Sequence, residues 1–280
     1  MILNIEIREE LELIINSLKE LLDREWAIFG SKKHNVDSSK ISELFNKIKE
    51  LGIYQYLNQA NPVDAYLINE ILGQYLVPSI VAFTSMASKA ILGEEGKEII
   101  EKGYAISVGS NVVPDIDKAD IVLTPHGIAF TKEISASEVK SPDPSVRLFN
   151  ITEANWKKAD IDFNSIKLIA SSQMIGHAMA CLNKTIDYAK NRIAFGKPIG
   201  SYQAVKHKIV DDAVNLELAR SLYLSQRTNL TPDRVFNHAF KVSLKAIFDS
   251  IQLHGGIGFT TDLDLHLHLK RLLLLYKILQ

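Results

Sequence analysis

Residues 157–280 carry apolar side chains at helical spacing through three long segments, "SIKLIASSQMIGHAMACLNKTIDYAKNR", "YQAVKHKIVDDAVNLELARSLYLSQR" and "PDRVFNHAFKVSLKAIFDSIQLH". Helices of this length, apolar on more than one face, build a bundle. The first hundred residues read as helices too. Leu11, Ile14, Ile15, Leu18, Leu21 and Leu22 form one stripe. A second helix follows a Ser38-Ser39 cap, with Ile41, Leu44, Phe45, Ile48 and Leu51 inward and Gly52 at its end. "PVDAYLINEILGQYL" and "PSIVAFTSMASKAIL" each place proline in a first helical turn, where its missing N–H does no harm. Only residues 103–156 change period. There "YAISVG", "DIVLT", "IAFTK" and "SVRLFNI" are β-prone, and Pro125–Gly127 suits a hairpin loop. This order predicts an α+β, mostly α chain, with an N-terminal helical domain (1–102), a small β middle domain (103–156) and a helical bundle (157–280). A doubly wound sheet is excluded.

Composition narrows the function classes. A net charge of −1 gives no general attraction to nucleic acid or an anionic membrane. The run Leu272–Leu275 is too short to span a bilayer. The single cysteine, Cys181, excludes an internal disulfide, and no secretory apolar region follows Met1; a cytoplasmic location is expected. Cys181 lies among Ala178, Met179 and Leu182, which reads as a buried, inert thiol. His266 and His268 are two apart and point differently on a helix, so no metal site is expected. Lys206, His207 and Lys208 read as a solvated face, with CoA phosphates as the alternative.

Two stretches resist a purely structural reading. In "YAKNRIAFGKPIGSYQAV" (188–205), a helix ends near Arg192, turns at Phe195-Gly196, and a new helix begins after Ser201. On spacing alone this is an interhelical loop. It nevertheless gathers Arg192, Phe195, Tyr202 and Gln203, groups that suit a planar, phosphate-bearing ligand. In "IQLHGGIGFTTD" (251–262), Gly255, Gly256 and Gly258 follow Gln252 and His254. Rossmann and P-loop glycines follow a strand, whereas these follow a helix. A tight helix–helix turn, or a turn whose bare backbone meets a ligand, remains.

Together with "IQLHGGIGFTTDLDLHLHLKR", the first stretch resembles the C-terminal domain of the acyl-CoA dehydrogenase family, flavoproteins that desaturate acyl-CoA thioesters. Fainter similarities are "ELFNKIKELGI" and "INEILGQYLVP". The resemblance implies the same order of parts, ending in a four-helix bundle. It also implies FAD, an acyl-CoA substrate and an electron-transfer acceptor. In the family the Arg and Phe of the "RxxFG" loop hold FAD, and the helix ending in "Q-x2-GG" lines a neighbouring subunit's FAD. Carried over, cofactor binding falls on Arg192, Phe195, Tyr202, Gln203, Gln252, Gly255 and Gly256. A site shared across subunits implies an oligomer. The dense run "LHLHLKRLLLLYKIL", which a single neighbouring helix cannot cover, adds the expectation that the chain assembles through its C-terminal helices.

The resemblance breaks at the catalytic base. The family abstracts the α-proton with a glutamate, placed a fixed distance after Gly-Gly or early in the helix before the "RxxFG" loop. Those positions are Leu279 and Ile166, and neither side chain accepts a proton. Asp160, Asp162, Asp262 and Asp264 are the nearby carboxylates; each reads as a cap or solvated loop residue. Nothing matches the family's "TEPxAGSD" flavin-binding stretch. Three readings follow: a supporting subunit that shares FAD with a catalytic, dehydrogenase-like partner; a self-sufficient homo-oligomer with an unusual Asp base; and a scaffold that binds no flavin.

Overall fold

The computed structural model describes residues 8–225 and 229–280. Six helices open the chain: α1 (Glu9–Glu25), α2 (Ser38–Glu50), α3 (Ile53–Gln59), α4 (Pro62–Gln74), α5 (Ser79–Ala90) and α6 (Gly93–Lys102). Leu11, Ile15, Leu18, Leu21 and Leu22 are the buried stripe of α1, as the spacing predicts. Asp37, not Ser38, occupies the N-cap of α2, so both serines lie inside the first turn. Pro62 stands at the first position of α4, with the Asn61 side chain accepting from the Asp64 N–H. Pro78 instead sits one residue outside α5, at its N-cap.

The strands follow: β1 (Ile106–Val108), β2 (Val112–Pro114), β3 (Ile121–Thr124), β4 (Gly127–Phe130), β5 (Ile134–Val139) and β6 (Leu148–Ala154). They form two three-stranded sheets, β1-β3-β4 and β2-β6-β5. β1 and β3 run parallel; β3 and β4 make the hairpin expected at Pro125–Gly127. Val113, Val122 and Phe149 join the two sheets as a small apolar cluster. β2 and β5 escape sequence reading. β2 is three residues long and ends in proline, and β5 (ISASEV) has no buried residue.

The rest is α7 (Phe163–Asn191), a hairpin of β7 (Ile193–Ala194) and β8 (Lys197–Pro198), α8 (Gln203–Leu224), α9 (Pro232–His254) and α10 (Leu265–Leu279). α7 is the axis: α4, α8, α9 and α10 all pack on it. Gly176 lets α4 approach closely, because a Cβ there would lie 2.1 Å from the Glu70 carbonyl oxygen. Between α4 and α8, Arg220 Nε and Tyr223 Oη both donate to Glu70 Oε1 at 2.7 Å. One continuous core draws side chains from the N-terminal helices, the strands and the bundle.

α10 removes one ground for expecting assembly through the C-terminal helices. Its run of leucines is covered within the chain: Leu265, Leu267, Leu272, Leu274, Leu275, Ile278 and Leu279 are all buried, and only Leu273 is exposed. Tyr276 stacks on Phe240 of α9 at 3.8 Å between centroids. Both α7 and α9 pack on α10, so more than one helix covers it, and both belong to this chain. Exposed apolar side chains lie instead on α8, where Val210, Val214 and Leu218 recur every four residues, and at Phe248 of α9.

A buried polar seam also joins α10 to α7. His177 Nδ1 and His268 Nδ1 lie 3.0 Å apart, one donating to the other, and His268 Nε2 is buried without a partner. Lys33, Lys184, Arg271, Asp143, Asp264 and His266 are the charged or titratable groups around the pair. Lys33, pulled down to about 8 by burial, donates to the Tyr75 carbonyl, and Lys184 pairs with Asp264. Burial holds both histidines well below their ordinary value, and the neighbouring cations add to it. Folded, the rings stay neutral; unfolded, they protonate below pH about 6.5. Their stabilisation is therefore complete above that pH and declines as pH falls, by roughly 1.4 kcal/mol per pH unit for each histidine. Chemical denaturation at pH 7.5 and 5.5 is expected to show this slope, and His177→Leu/His268→Leu to flatten it. The same slope in the double variant would exclude the pair as its source.

Candidate functional site

The two sequence stretches meet at one end of the bundle. Tyr188, in the last turn of α7, stacks on His254, the last residue of α9, with centroids 4.4 Å apart and planes at 25°. The β7–β8 hairpin and the glycine turn therefore open side by side. The hairpin has a two-residue loop, Phe195-Gly196, because Ala194 pairs with Lys197. Both loop residues have positive φ, +51° and +81°. That is the type I′ geometry favoured by Asn-Gly, and a phenylalanine held there is strained. The fold gains no burial in exchange, since Phe195 is 96% exposed.

Around this loop the predicted residues divide into two groups. Tyr202 turns inward: its hydroxyl donates to the Ala194 carbonyl at 3.0 Å, and Lys197 covers its ring at 4.4 Å. It shapes the hairpin. Gln252 is exposed and accepts from Lys208 Nζ, which also pairs with Asp249. Lys208 is thus drawn into the α8–α9 seam, while Lys206 and His207 stay in solvent. Arg192 and Gln203 are exposed, and neither side chain has a hydrogen-bond or ion-pair partner among the described residues. A guanidinium and an amide thus stand free beside an exposed ring.

The glycines of 255–258 have three different reasons. Gly255 adopts φ +63°, ψ −139°, a conformation open essentially to glycine alone. A Cβ at Gly258 would lie 2.3 Å from the Ile251 carbonyl oxygen, so the chain's own packing demands glycine. Gly256 has a negative φ, and a Cβ there would meet no atom within 4 Å. Nothing among the described residues requires Gly256 to lack a side chain.

The two positions counted from the motifs as those of the expected glutamate converge in space. Ile166 of α7 and Leu279 of α10 line one cavity of about 260 Å³, with Phe163, Ile278, Gly109 and Pro125. Ligand clefts usually measure ~300–1,000 Å³. No aspartate or glutamate lines it; its cation, Lys167, is paired with Asp233. Asp162 caps α7, accepting from the Asn164 and Ser165 N–H groups. Asp160 and Asp262 are exposed. Asp264 occupies the N-cap position of α10 but is neither solvated nor bonded to the helix N–H groups through its side chain: it is buried and pairs with Lys184, because α10 folds against α7. Cys181 is buried, and burial pushes its thiol up. Among the described residues no cluster of three His, Cys, Asp or Glu could hold a metal ion, and no helix is long and apolar enough to cross a membrane. Sequence reading missed the Tyr188–His254 stack and the shared cavity; both depend on how α7, α9 and α10 cross.

Comparison with known proteins bears on the family and the fold. The family model described as acyl-CoA dehydrogenase, C-terminal domain, matches residues 156–279. Acyl-CoA dehydrogenase IpdE2 of Mycobacterium tuberculosis is 32% identical over 224 residues, covering 74% of this chain and 70% of the relative. Among solved structures, the Tcur3481-Tcur3483 steroid ACAD aligns with a TM-score of 0.80 at 16% identity, covering 97% of this chain and 94% of that one. The ChsE4-ChsE5 complex from Mycobacterium tuberculosis aligns with a TM-score of 0.75 at 14% identity, covering 99% and 95%. At these identities the structures speak for the fold, an α+β architecture dominated by helix, and the IpdE2 match speaks for kinship. The chain belongs to the acyl-CoA dehydrogenase family.

Proposed function

We propose that this chain is the supporting subunit of a hetero-oligomeric, FAD-dependent acyl-CoA dehydrogenase, sharing its dinucleotide with a glutamate-bearing partner of the same family. The observation that carries this reading is Gly256. The described residues leave room for a side chain there, which suits a backbone kept bare for a ligand. Beside it stand Arg192, suited to a pyrophosphate, and Phe195, suited to a heterocycle, neither engaged by the fold. Both sit at the bundle end that carries Gln203, Gln252 and the bare backbone of Gly255 and Gly256. The residues present fit the phosphate-bearing part of FAD. The isoalloxazine would need walls that a 260 Å³ cavity does not offer. When bound, FAD supplies acceptance of the substrate's hydride; this chain's residues bind and orient the dinucleotide.

The partner's place is supported by chemistry and by precedent. With Ile166 and Leu279 where a base is needed, α-proton abstraction has to come from another chain. The ChsE4-ChsE5 complex, which the chain resembles in fold, joins two different proteins. The line Val210, Val214 and Leu218 on α8 supplies apolar surface for such a neighbour. The three segments 1–102, 103–156 and 157–280 would then act as one body, with an acyl-CoA substrate and a separate electron-transfer acceptor. The single thiol, buried at Cys181, suits a reducing compartment such as the cytoplasm.

Arg192→Ala tests the reading. A guanidinium paired to pyrophosphate contributes roughly 1.5–3 kcal/mol, so FAD retention by the assembled protein is expected to fall about tenfold or more, with thermal stability unchanged. Equal retention would reduce the loop to a turn. Gly256→Val is expected to leave the isolated chain folded, since its Cβ meets nothing, and to expel FAD from the assembly. A variant that kept both fold and cofactor would remove the account of the glycines.

A further inference from the structure

A second recess lies away from the bundle end, between α6 and the β3–β4 hairpin. Its floor is aliphatic: Ile99, Ile121 and Ile128 are all buried. Its wall is a ring pair, Tyr104 and Phe130, edge to face at 5.7 Å and 86°. Its rim carries Lys157, Lys102 and Glu98, and Lys132 stands outside the lining. Lys157 Nζ stands 5.6 Å from the Phe130 centroid, and Lys132 Nζ stands 5.4 Å from the same centroid, so the two ammonium groups are no more than 11.0 Å apart. Neither has a carboxylate partner among the described residues, whereas Lys102, also on the rim, is paired with Glu98. One such cation, Lys157, therefore lines the apolar hollow, and a second, Lys132, lies against the same half-buried ring outside it.

We propose that this recess binds a small carboxylate with a single-ring apolar body. The hollow measures about 210 Å³. That lies below the ~300–1,000 Å³ of clefts that enclose drug-sized ligands, which suits one ring rather than an acyl-CoA or a dinucleotide. The ring packs on the isoleucine floor beside Tyr104 and Phe130, and the carboxylate meets Lys157 at the rim, with Lys132 adding attraction at longer range. A neutral ligand of the same shape lacks the second half of that fit, and inorganic phosphate lacks the first. The site is separate from the dinucleotide-binding end and does not depend on the FAD reading.

Saturation-transfer NMR and calorimetric titration of the full chain with benzoate test the proposal, with benzyl alcohol as the neutral comparison. Saturable binding of benzoate is expected, with benzyl alcohol about tenfold weaker or more, the usual scale of a charge-assisted contact. Lys157→Glu is expected to weaken benzoate by at least the same factor, while Lys241→Glu, an exposed lysine on α9, leaves it unchanged. Arg192→Ala is also expected to leave it unchanged. No saturable benzoate binding at millimolar concentration, equal binding of benzyl alcohol, or indifference to Lys157→Glu would overturn the proposal. So would loss of binding in Arg192→Ala, which would place the ligand at the bundle end.

Discussion

Supplied with FAD, an acyl-CoA thioester and an artificial electron acceptor, the isolated chain is expected to turn over about 10²–10⁴-fold more slowly than a family member carrying its glutamate. The cavity that should hold the base is lined from both sides by aliphatic side chains, Ile166 and Leu279. The candidate carboxylates are occupied or remote: Asp162 caps α7, Asp264 pairs with Lys184, and Asp160 and Asp262 are exposed. None lines the cavity, and general-base catalysis requires hydrogen-bond reach of the proton. Activity is expected to appear on mixing with a glutamate-bearing chain of the family, and to vanish when that partner's glutamate is replaced. Full turnover by the isolated chain would overturn the supporting role. In that case loss of activity on changing only one of the four aspartates to Asn would identify the base.

Arg271→Met is expected to destabilise the protein by about 3–5 kcal/mol, the scale for stranding one member of a buried ion pair. Arg271 is buried on α10 and makes three bonds: Nε to Asp143 Oδ2 at 2.8 Å, Nη1 to the Val77 carbonyl at 2.8 Å, and Nη2 to Ser145 Oγ at 2.9 Å. It ties α10 to the loop before β6 and to the α4–α5 turn. Burial pushes the Asp143 carboxyl up, but Arg271 and hydrogen bonds from Ser145 outweigh that and leave it below its usual value. Asp143 therefore stays charged, and removing Arg271 leaves that charge in the interior. Replacing both, as Arg271→Met/Asp143→Leu, is expected to recover part of the loss, because two apolar groups need no partner. Denaturant titration measures each step; a loss below about 1 kcal/mol in the single variant would mean water reaches Asp143.

The architecture was legible where one period ran long. α7, α8 and α9 begin and end within a few residues of their sequence signals, since Pro232 and the Phe195-Gly196 turn mark boundaries locally. β5 was not legible, because its edge position leaves no buried face to create alternation. Neither was the coverage of α10, which depends on elements far away in sequence. At the candidate site, residue types announced the chemistry but not the division of labour. Tyr202 and Phe195 look equivalent in sequence, yet one braces the hairpin and the other stands in solvent. The three glycines look alike too, and only backbone angles and close approaches separate Gly255 and Gly258 from Gly256. Ile166 and Leu279, by contrast, were singled out by counting alone, and both line the same cavity.

Flavin absorbance, measured per chain after purification alone and after co-expression with a glutamate-bearing family member, tests the shared-cofactor account most directly. The account predicts little flavin on the chain alone, stable flavin in the mixed assembly, and loss of that flavin when Arg192→Ala is introduced into this chain only. A mixed assembly that holds no flavin, or holds it equally with Arg192→Ala and Gly256→Val in place, would contradict it.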